Sequence, residues 1–297
     1  MQNQASIQSS WIDDVVNGNK PSSQNLKKHL QAVHKYNPGF TEAFSSVCKD
    51  RFGRTSYKWL SEVINPDVHK NILDLACGNG PLLSLCNDLY DSSISLTGVD
   101  MSSDELLVAK NRLPKKIKLY QGIAQNLSFL ENDSFDLILC HWALTLMDPI
   151  EKVFSEVNRI LRSGGIFSAI VDGDIKASSQ YFEINKLIYS WAVKDCKNYD
   201  LFELGDSRVR SSNTLFNLIS ESFRTNYIKI DSEILELRGK PDFLSKKVAS
   251  FFYASYVLSQ SNFELMLKEL EGFFTRQSNS GISVFKIPVN RLTFSID

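Results

Sequence analysis

The chain has 297 residues, of which 43% are hydrophobic, and its 33 Lys and Arg nearly balance its 34 Asp and Glu, giving a formal net charge of -1. This composition predicts a globular protein with a sizeable core, and the near-zero charge disfavours nucleic acid as a partner. The five cysteines form no C-x-x-C pair, no signal-peptide stretch begins the chain, and no long apolar run interrupts it. We therefore expect a cytoplasmic protein with no disulfide framework, zinc knuckle or membrane span.

Residues 1–65 carry amphipathic helical patterns that precede the first apolar run typical of a strand. Breaks are expected at Asn37-Pro38-Gly39 and at Phe52-Gly53, because glycine and proline interrupt helices. The sequence therefore predicts a helical cap or lid over residues 1–65, followed by a core over residues 66–297.

Short apolar runs alternate with helical patterns between Asn71 and Asp172. The runs typical of strands are NILDLA, SISLTGVD, IKLYQG, SFDLILC and GIFSAIVDG, and the helical patterns between them are PLLSLCNDLY, SDELLVAKNRL and PIEKVFSEVNRILR. Such alternation is typical of βαβ units and a parallel sheet.

Local cap signals mark the ends of these helices. Ser102 and Glu105 have the spacing of a capping box, and Asp148-Pro149 predicts a cap followed by a proline at the first helical position. Gly164-Gly165 is expected to end the third helix before the next strand begins.

After Asp172 the pattern changes to aromatic-rich helical insertions at about 175–210 and 242–278. Residues 212–223 predict another helix against the sheet, while 227–239 and 281–296 predict strands. We expect the aromatic residues mostly to form the core of the insertions and partly to line an apolar substrate pocket. The predicted fold is α/β: a doubly wound, mostly parallel, seven-stranded Rossmann-like sheet with a helical N-terminal cap and helical insertions.

The most informative segment is DLACGNGP, which runs from Asp74 to Pro81 at the end of the first predicted strand. Glycines at that turn let the backbone approach a ligand at the carboxyl edge of the sheet. Asp100 ends the second predicted strand, where an acid can accept hydrogen bonds from ribose hydroxyls. A dinucleotide fingerprint needs a further glycine where this chain has Leu83. We therefore expect a nucleoside ligand without phosphates, and we disfavour a nicotinamide-dependent oxidoreductase.

Taken together, five segments resemble the motifs of class I S-adenosylmethionine-dependent methyltransferases. They are ILDLACGNG, GVDMS, GIAQNLSF, NDSFDLILCHWAL and EVNRILRSGGIF, in that order over about residues 66–172. Within the family, the chain looks most similar to the small-molecule branch that includes quinone-ring and acyl-carrier methyltransferases.

The resemblance implies a set of residues that bind the cofactor. Its methionine end would be lined by Asp74, Ala76, Gly78 and Gly80. Its ribose would be held by Asp100, and its adenine would lie against Met101, Ala124 and Gln125. Its sulfonium would face the backbone of Cys140. Two residues depart from the family pattern: Ala76 replaces the first glycine of the loop, and Ile123 stands where many relatives carry an acid that recognises adenine.

Methyl transfer needs an acceptor placed in line with the sulfonium, and in some reactions a group that removes a proton. Candidates for that group are His141 and Asp172, which end the fourth and fifth predicted strands, although each could instead serve packing or capping. The function predicted from sequence is methyl transfer to a small or medium-sized organic acceptor through an O, N, C or S atom. The alternative is a protein of the same fold that binds the cofactor without turnover. The oligomeric state stays open.

Overall fold

The computed structural model describes residues 7–297 and contains a seven-stranded sheet with the strand order β3-β2-β1-β4-β5-β7-β6. The strands are β1 (Asn71–Leu75), β2 (Ser95–Asp100), β3 (Lys118–Gln121), β4 (Phe135–His141), β5 (Leu161–Asp172), β6 (Ile228–Gly239) and β7 (Ser283–Ser295). Strands β1 to β5 pair in parallel, and β7 runs antiparallel to β5. The predicted α/β class with a mostly parallel seven-stranded sheet is confirmed.

Eleven α-helices lie among the described residues. They are α1 (Ser10–Val16), α2 (Ser23–Tyr36), α3 (Phe40–Ser45), α4 (Ser56–Ser61), α5 (Pro81–Tyr90), α6 (Ser103–Arg112), α7 (Ile150–Ile160), α8 (Ser179–Asp195), α9 (Ser212–Ser222), α10 (Pro241–Phe251) and α11 (Gln260–Arg276). None of these helices is both long enough and apolar enough to cross a membrane.

The order of the strands reverses at β1, which pairs with β2 on one side and with β4 on the other. In open α/β sheets the crevice outside the carboxyl ends of the strands at such a reversal is where ligands bind. The loops that follow β1, β2 and β4 all leave from this edge. The topology therefore puts the glycine loop and the two strand-end acids Asp74 and Asp100 at the expected ligand edge.

Helix α7 packs one apolar face into the main core. Its buried residues are Ile150, Val153, Phe154, Val157 and Ile160, at the 3.6-residue period predicted from the sequence. They join buried residues of the sheet such as Leu73, Leu75 and Ile138 in one hydrophobic cluster. Burial of each such side chain contributes roughly 1.5–3 kcal/mol, and it fixes β1 and β4 beneath the carboxyl edge.

Two local predictions around α7 are wrong. Pro149 is the N-cap residue, not the first helical residue, and no side chain caps this helix. Helix α7 ends at Ile160 and β5 begins directly at Leu161, so Gly164-Gly165 lies inside the strand and does not separate helix from strand.

A β-irregularity explains the position of the two glycines. Leu161 pairs with Phe135, but the next pair joins Ile166 to Leu137, so β5 has extra residues here. Gly164 lies within this stretch at φ +75°, a conformation that glycine adopts without strain. After these extra residues, Ile166–Ile170 pair in register with Leu137–His141 of β4. A strand that began after the glycines would have the same register.

The chain divides into two compact units. The first comprises the described residues up to Gly53 together with 175–204 and 234–288, and the second comprises residues 54–174, 205–233 and 289–297. Helix α4, which the sequence analysis included in the cap, lies in the second unit together with strands β1 to β5.

The interior of the first unit is aromatic. Phe44 stacks on Phe251 with ring centroids 4.2 Å apart, and Phe40 meets Tyr256 edge-on at 5.6 Å. Several aromatic residues of the two insertions are buried, namely Tyr181, Trp191, Phe252, Tyr256, Phe273 and Phe274. As expected from the sequence, these rings form a hydrophobic core. Helices of the length of α1 to α3 are only marginally stable alone, so they depend on packing against such a core.

Candidate functional site

The loop after β1 is a tight turn held against β2. Ala76, Gly78 and Gly80 all have left-handed backbone, with φ of 63°, 52° and 81°. The Cys77 N–H donates to the Val99 carbonyl at 3.0 Å, and the Gly80 N–H donates to the Cys77 carbonyl at 3.0 Å. Alternating left-handed residues bend the chain from the strand directly into α5 and leave backbone exposed to the ligand edge.

Asp100 connects this loop to the next one. Its Oδ2 accepts the Gly78 N–H at 2.8 Å, and its Oδ1 accepts the Ser102 N–H at 2.8 Å. The Ser102 hydroxyl in turn caps α6 by accepting the Glu105 N–H, which confirms the predicted cap. A carboxylate oxygen can accept more than one hydrogen bond, so these two contacts are compatible with a ribose hydroxyl as a further donor. Asp100 therefore holds the loop after β1 and the start of α6 together.

Gly78 and Gly80 have different surroundings. A Cβ atom on Gly78 would meet no atom within 4 Å, whereas a Cβ on Gly80 would lie 2.7 Å from Leu113 Cδ1 and 3.4 Å from the Ala109 Cβ. Glycine at position 80 is therefore required by packing on α6 and its end. Position 78 borders open space, as expected where a ligand approaches the backbone.

Asp74 is the most unusual group of the site. Its side chain is 2% exposed, and within the described part of the chain neither of its oxygens has a hydrogen-bond partner. Burial, followed by the negative charge of Asp100, raises the pKa of the Asp74 carboxyl to about 8. Because buried polar groups are normally hydrogen-bonded, this carboxyl has the properties expected of a binding group for a cationic or hydrogen-bond-donating ligand.

The predicted adenine-side residues lie in and near the loops after β2 and β3. Met101 is half-buried and its carbonyl accepts from the Gln121 Nε2 at 3.4 Å, while Ala124 is buried. The Gln125 Nε2 donates to the Asp148 carbonyl at 3.1 Å, and Ile123 forms an isolated bridge with Asn126. Gln125 is thus held in place by the loop that follows β4, and its role in binding adenine stays a prediction.

Cys140 and His141 end β4, next to β1. Cys140 is fully buried, and burial raises the pKa of its thiol. His141 Nε2 lies 2.9 Å from the Ser56 Oγ, and its ring stacks on Tyr57 with centroids 3.9 Å apart. Burial lowers the pKa of His141 to about 3, so the imidazole is neutral and weakly basic at physiological pH.

Asp172 ends β5 at the same edge. Its Oδ2 accepts from the Arg210 Nη1 at 3.3 Å, and its backbone carbonyl accepts from the Asn290 Nδ2 at 3.4 Å. Burial raises the pKa of this carboxyl, and the opposing charge of Arg210 offsets only part of that effect. With a side chain about one-fifth exposed (21%), Asp172 combines a raised pKa with contact to solvent.

The sequence analysis did not single out Ser56, Tyr57 or Arg210. Ser56 and His141 are 85 residues apart, and Asp172 and Arg210 are 38 apart. Each contact depends on how α4 and the segment before α9 pack against strand ends. No motif within either segment signals it.

The sheet order, the left-handed glycine loop and the acid after β2 define an α/β protein with a Rossmann-like sheet. Residues 73–169 match a family model described as a methyltransferase domain. The chain therefore contains a methyltransferase domain over residues 73–169, which agrees with the resemblance of its motifs to class I S-adenosylmethionine-dependent methyltransferases.

Curated relatives agree with this assignment, and a solved structure has a similar fold. The chain is 32% identical over 114 residues to a demethylmenaquinone methyltransferase of Leptospira interrogans, over 36% of this chain and 45% of the relative. It is 24% identical over 186 residues to a ubiquinone/menaquinone biosynthesis C-methyltransferase of Campylobacter jejuni, over 60% of this chain and 78% of the relative. The [4+2]-cyclase SpnF has a similar fold, with a TM-score of 0.54, 14% identity and coverage of 93% of this chain and 97% of that one. The chain spans about half the length of the first of these relatives.

The left-handed backbone of Ala76 generates a stability prediction. A non-glycine residue in this conformation destabilises the folded state by roughly 1–2 kcal/mol. Glycine avoids this strain, but its greater freedom in the unfolded chain offsets part of the gain in stability. Ala76→Gly should raise the free energy of unfolding by about 1 kcal/mol, measured by chemical denaturation. As a control, Ala32→Gly within α2 should lower it by about 0.5–1 kcal/mol. If both variants lose stability equally, Ala76 is not strained.

Proposed function

We propose that the protein binds S-adenosylmethionine at the carboxyl edge of β1 and β2 and transfers its methyl group to a small or medium-sized organic acceptor. The observation that carries the cofactor assignment is the buried carboxyl of Asp74, which has no partner among the described residues although a charged Asp100 lies close by. A buried acid in this position favours a ligand that brings positive charge. S-Adenosylmethionine carries both an ammonium and a sulfonium.

The residues present fit this cofactor. Asp74 would face its cationic end, and the open space beside Gly78 would admit the ligand next to the loop backbone. Asp100 would accept from the ribose hydroxyls while it also holds the Gly78 and Ser102 N–H groups. Met101, Ala124 and Gln125 would border the adenine, and Ala76, Gly80 and Cys140 would shape the methionine and sulfonium side.

The proposed acceptor is a hydroxylated ring of the quinol type. Support comes from the relatives whose names specify demethylmenaquinone and ubiquinone/menaquinone methylation. A hydroxylated ring loses a proton when it is methylated on oxygen or on a ring carbon. The acceptor must therefore meet a group that takes up this proton.

We propose Asp172 as that group and His141 as the second candidate. A general base works best when its pKa lies close to the working pH. The raised pKa of Asp172 brings it closer to neutrality, whereas the pKa of about 3 at His141 moves the imidazole away from it. When bound, the cofactor supplies the electrophilic methyl group. Asp172 would then orient the acceptor hydroxyl and accept its proton. Arg210, which donates a hydrogen bond to the Asp172 carboxylate, would hold that carboxylate in position.

Cofactor binding without turnover is the alternative function. The engaged, weakly basic His141 favours it, because that residue would then serve only packing against Ser56 and Tyr57. Incubation with methyl-labelled S-adenosylmethionine and a panel of quinols separates the two functions, since only an enzyme forms labelled product. Titration with NAD in place of S-adenosylmethionine tests the disfavoured oxidoreductase.

Gly78→Ala should weaken binding of S-adenosylhomocysteine at least tenfold, because its methyl group occupies the open space where the ligand approaches. Gly164→Ala is the matched control. It has the same left-handed backbone and nothing within 4 Å of its Cβ, but it lies in the irregular part of β5. Both variants should lose about 1–2 kcal/mol of stability, and calorimetric titration should show the loss of affinity for Gly78→Ala alone. Equal affinities in the two variants would remove Gly78 from the binding site.

Asp172→Asn should lower kcat for methylation of the acceptor by about 10²–10⁴-fold while affinity for S-adenosylhomocysteine is unchanged. In the unmodified protein the rate should rise with pH through the pKa of Asp172, because only the carboxylate accepts a proton. His141→Gln should have the smaller effect on kcat. A large decrease in kcat for His141→Gln together with normal turnover for Asp172→Asn would identify His141, not Asp172, as the proton acceptor.

A further inference from the structure

Two carboxyl groups lie close together at the ends of β1 and β2. Asp74 is paired in register with Gly98 of β2, and Asp100 follows Gly98 by two residues. Because side chains alternate along a strand, Asp100 and Asp74 project from the same face of the sheet. Like charges in such a pair disfavour simultaneous ionisation of both groups.

The two acids are not equivalent. Asp100 accepts two backbone N–H groups, from Gly78 and Ser102, and such donors stabilise a carboxylate. Asp74 is more deeply buried and has no donor among the described residues. In the protein without cofactor, these contacts favour the negative charge on Asp100, and Asp74 holds a proton below about pH 8.

The other titratable groups around Asp74 do not neutralise it. They come from the loop after β1, from α5 and from β4, with one acid of α6 acting through the loop cysteine: Cys77, Cys86, Cys140 and Glu105. Burial raises the pKa of all three thiols, so they stay uncharged. Lys58 of α4 lowers the pKa of the Cys86 thiol but is not among the charges that shift the pKa of Asp74. Because none of these groups neutralises Asp74, we expect the ligand to bring the cation that allows it to ionise.

We propose that binding of the cofactor expels one proton from Asp74, so that cofactor affinity depends on pH. This inference rests on the proposed function. The O–H bond of Asp74 breaks, the proton passes to solvent, and the carboxylate that remains pairs with the positive charge of the ligand. No other reactant is required.

The direction of the pH dependence follows from the raised pKa of about 8 at Asp74. Below that pH the free protein must release a proton on binding, so affinity should rise about tenfold for each pH unit between pH 6 and 7.5. Above pH 8 the carboxyl is already ionised in the free protein. Proton release from Asp74 should therefore fall to about one half at pH 8, and the rise in affinity should level off there.

Calorimetric titration of the full chain with S-adenosylhomocysteine, which keeps the ammonium, measures this coupling. At pH 6.5 the binding enthalpy should differ between phosphate and Tris by the amount expected for nearly one released proton, and at pH 8 by about half that amount. Asp74→Asn should abolish the proton release. 5′-Methylthioadenosine, which lacks the ammonium and the sulfonium, should bind the unmodified protein without it.

The outcomes separate the two proposals. If S-adenosylhomocysteine does not bind at any pH, the proposed function is wrong. Binding with the same enthalpy in both buffers and the same affinity at pH 6.5 and pH 7.5 contradicts the proton coupling alone. Proton release that persists in a folded Asp74→Asn variant likewise contradicts the assignment to Asp74.

Discussion

The hydrogen bonds from the Gly78 and Ser102 N–H groups to the Asp100 carboxylate hold the two loops of the candidate site together. Charge-assisted hydrogen bonds of this kind contribute about 1.5–3 kcal/mol each, and here they join the turn after β1 to the start of α6. The Gly78 bond ties the left-handed loop to the strand-end acid of β2, and the Ser102 bond ties the start of α6 to the same acid. Pairing of β1 with β2 brings Asp74 close to Asp100. The charge of the Asp100 carboxylate then disfavours ionisation of Asp74.

The distribution of charge explains the unusual state of Asp74. Backbone N–H groups stabilise the carboxylate of Asp100. Its negative charge and the burial of Asp74 then disfavour ionisation of Asp74 in the absence of a bound cation. The same loop has open space beside Gly78, whereas the space beside Gly80 is filled by Leu113 and Ala109. Shape and charge at this edge thus agree with the proposed ligand, which combines a ribose with a positive charge.

Elements that depend on local sequence could be predicted. The parallel core, the Ser102 cap and the apolar face of α7 follow from residue periodicity and from hydrogen bonds within a few residues. The prediction that Gly164-Gly165 separates helix from strand failed, because β5 begins before these glycines and includes them in an irregular stretch of its pairing with β4. The two loop glycines are equivalent in sequence, and only the position of Leu113 separates the packing glycine from the one beside open space. The Ser56 to His141 contact had no sequence signal because it is tertiary.

The most direct test of the account is a crystal structure of the protein with S-adenosylhomocysteine. The account predicts the ribose hydroxyls within hydrogen-bond distance of the Asp100 carboxylate, the amino-acid chain of the ligand along Gly78, and the ammonium facing Asp74. The hydrogen bonds from Gly78 and Ser102 to Asp100 should persist in that complex. A ligand bound away from β1 and β2, or one whose ribose avoids Asp100, would contradict the central claim that this pair of acids forms the cofactor site.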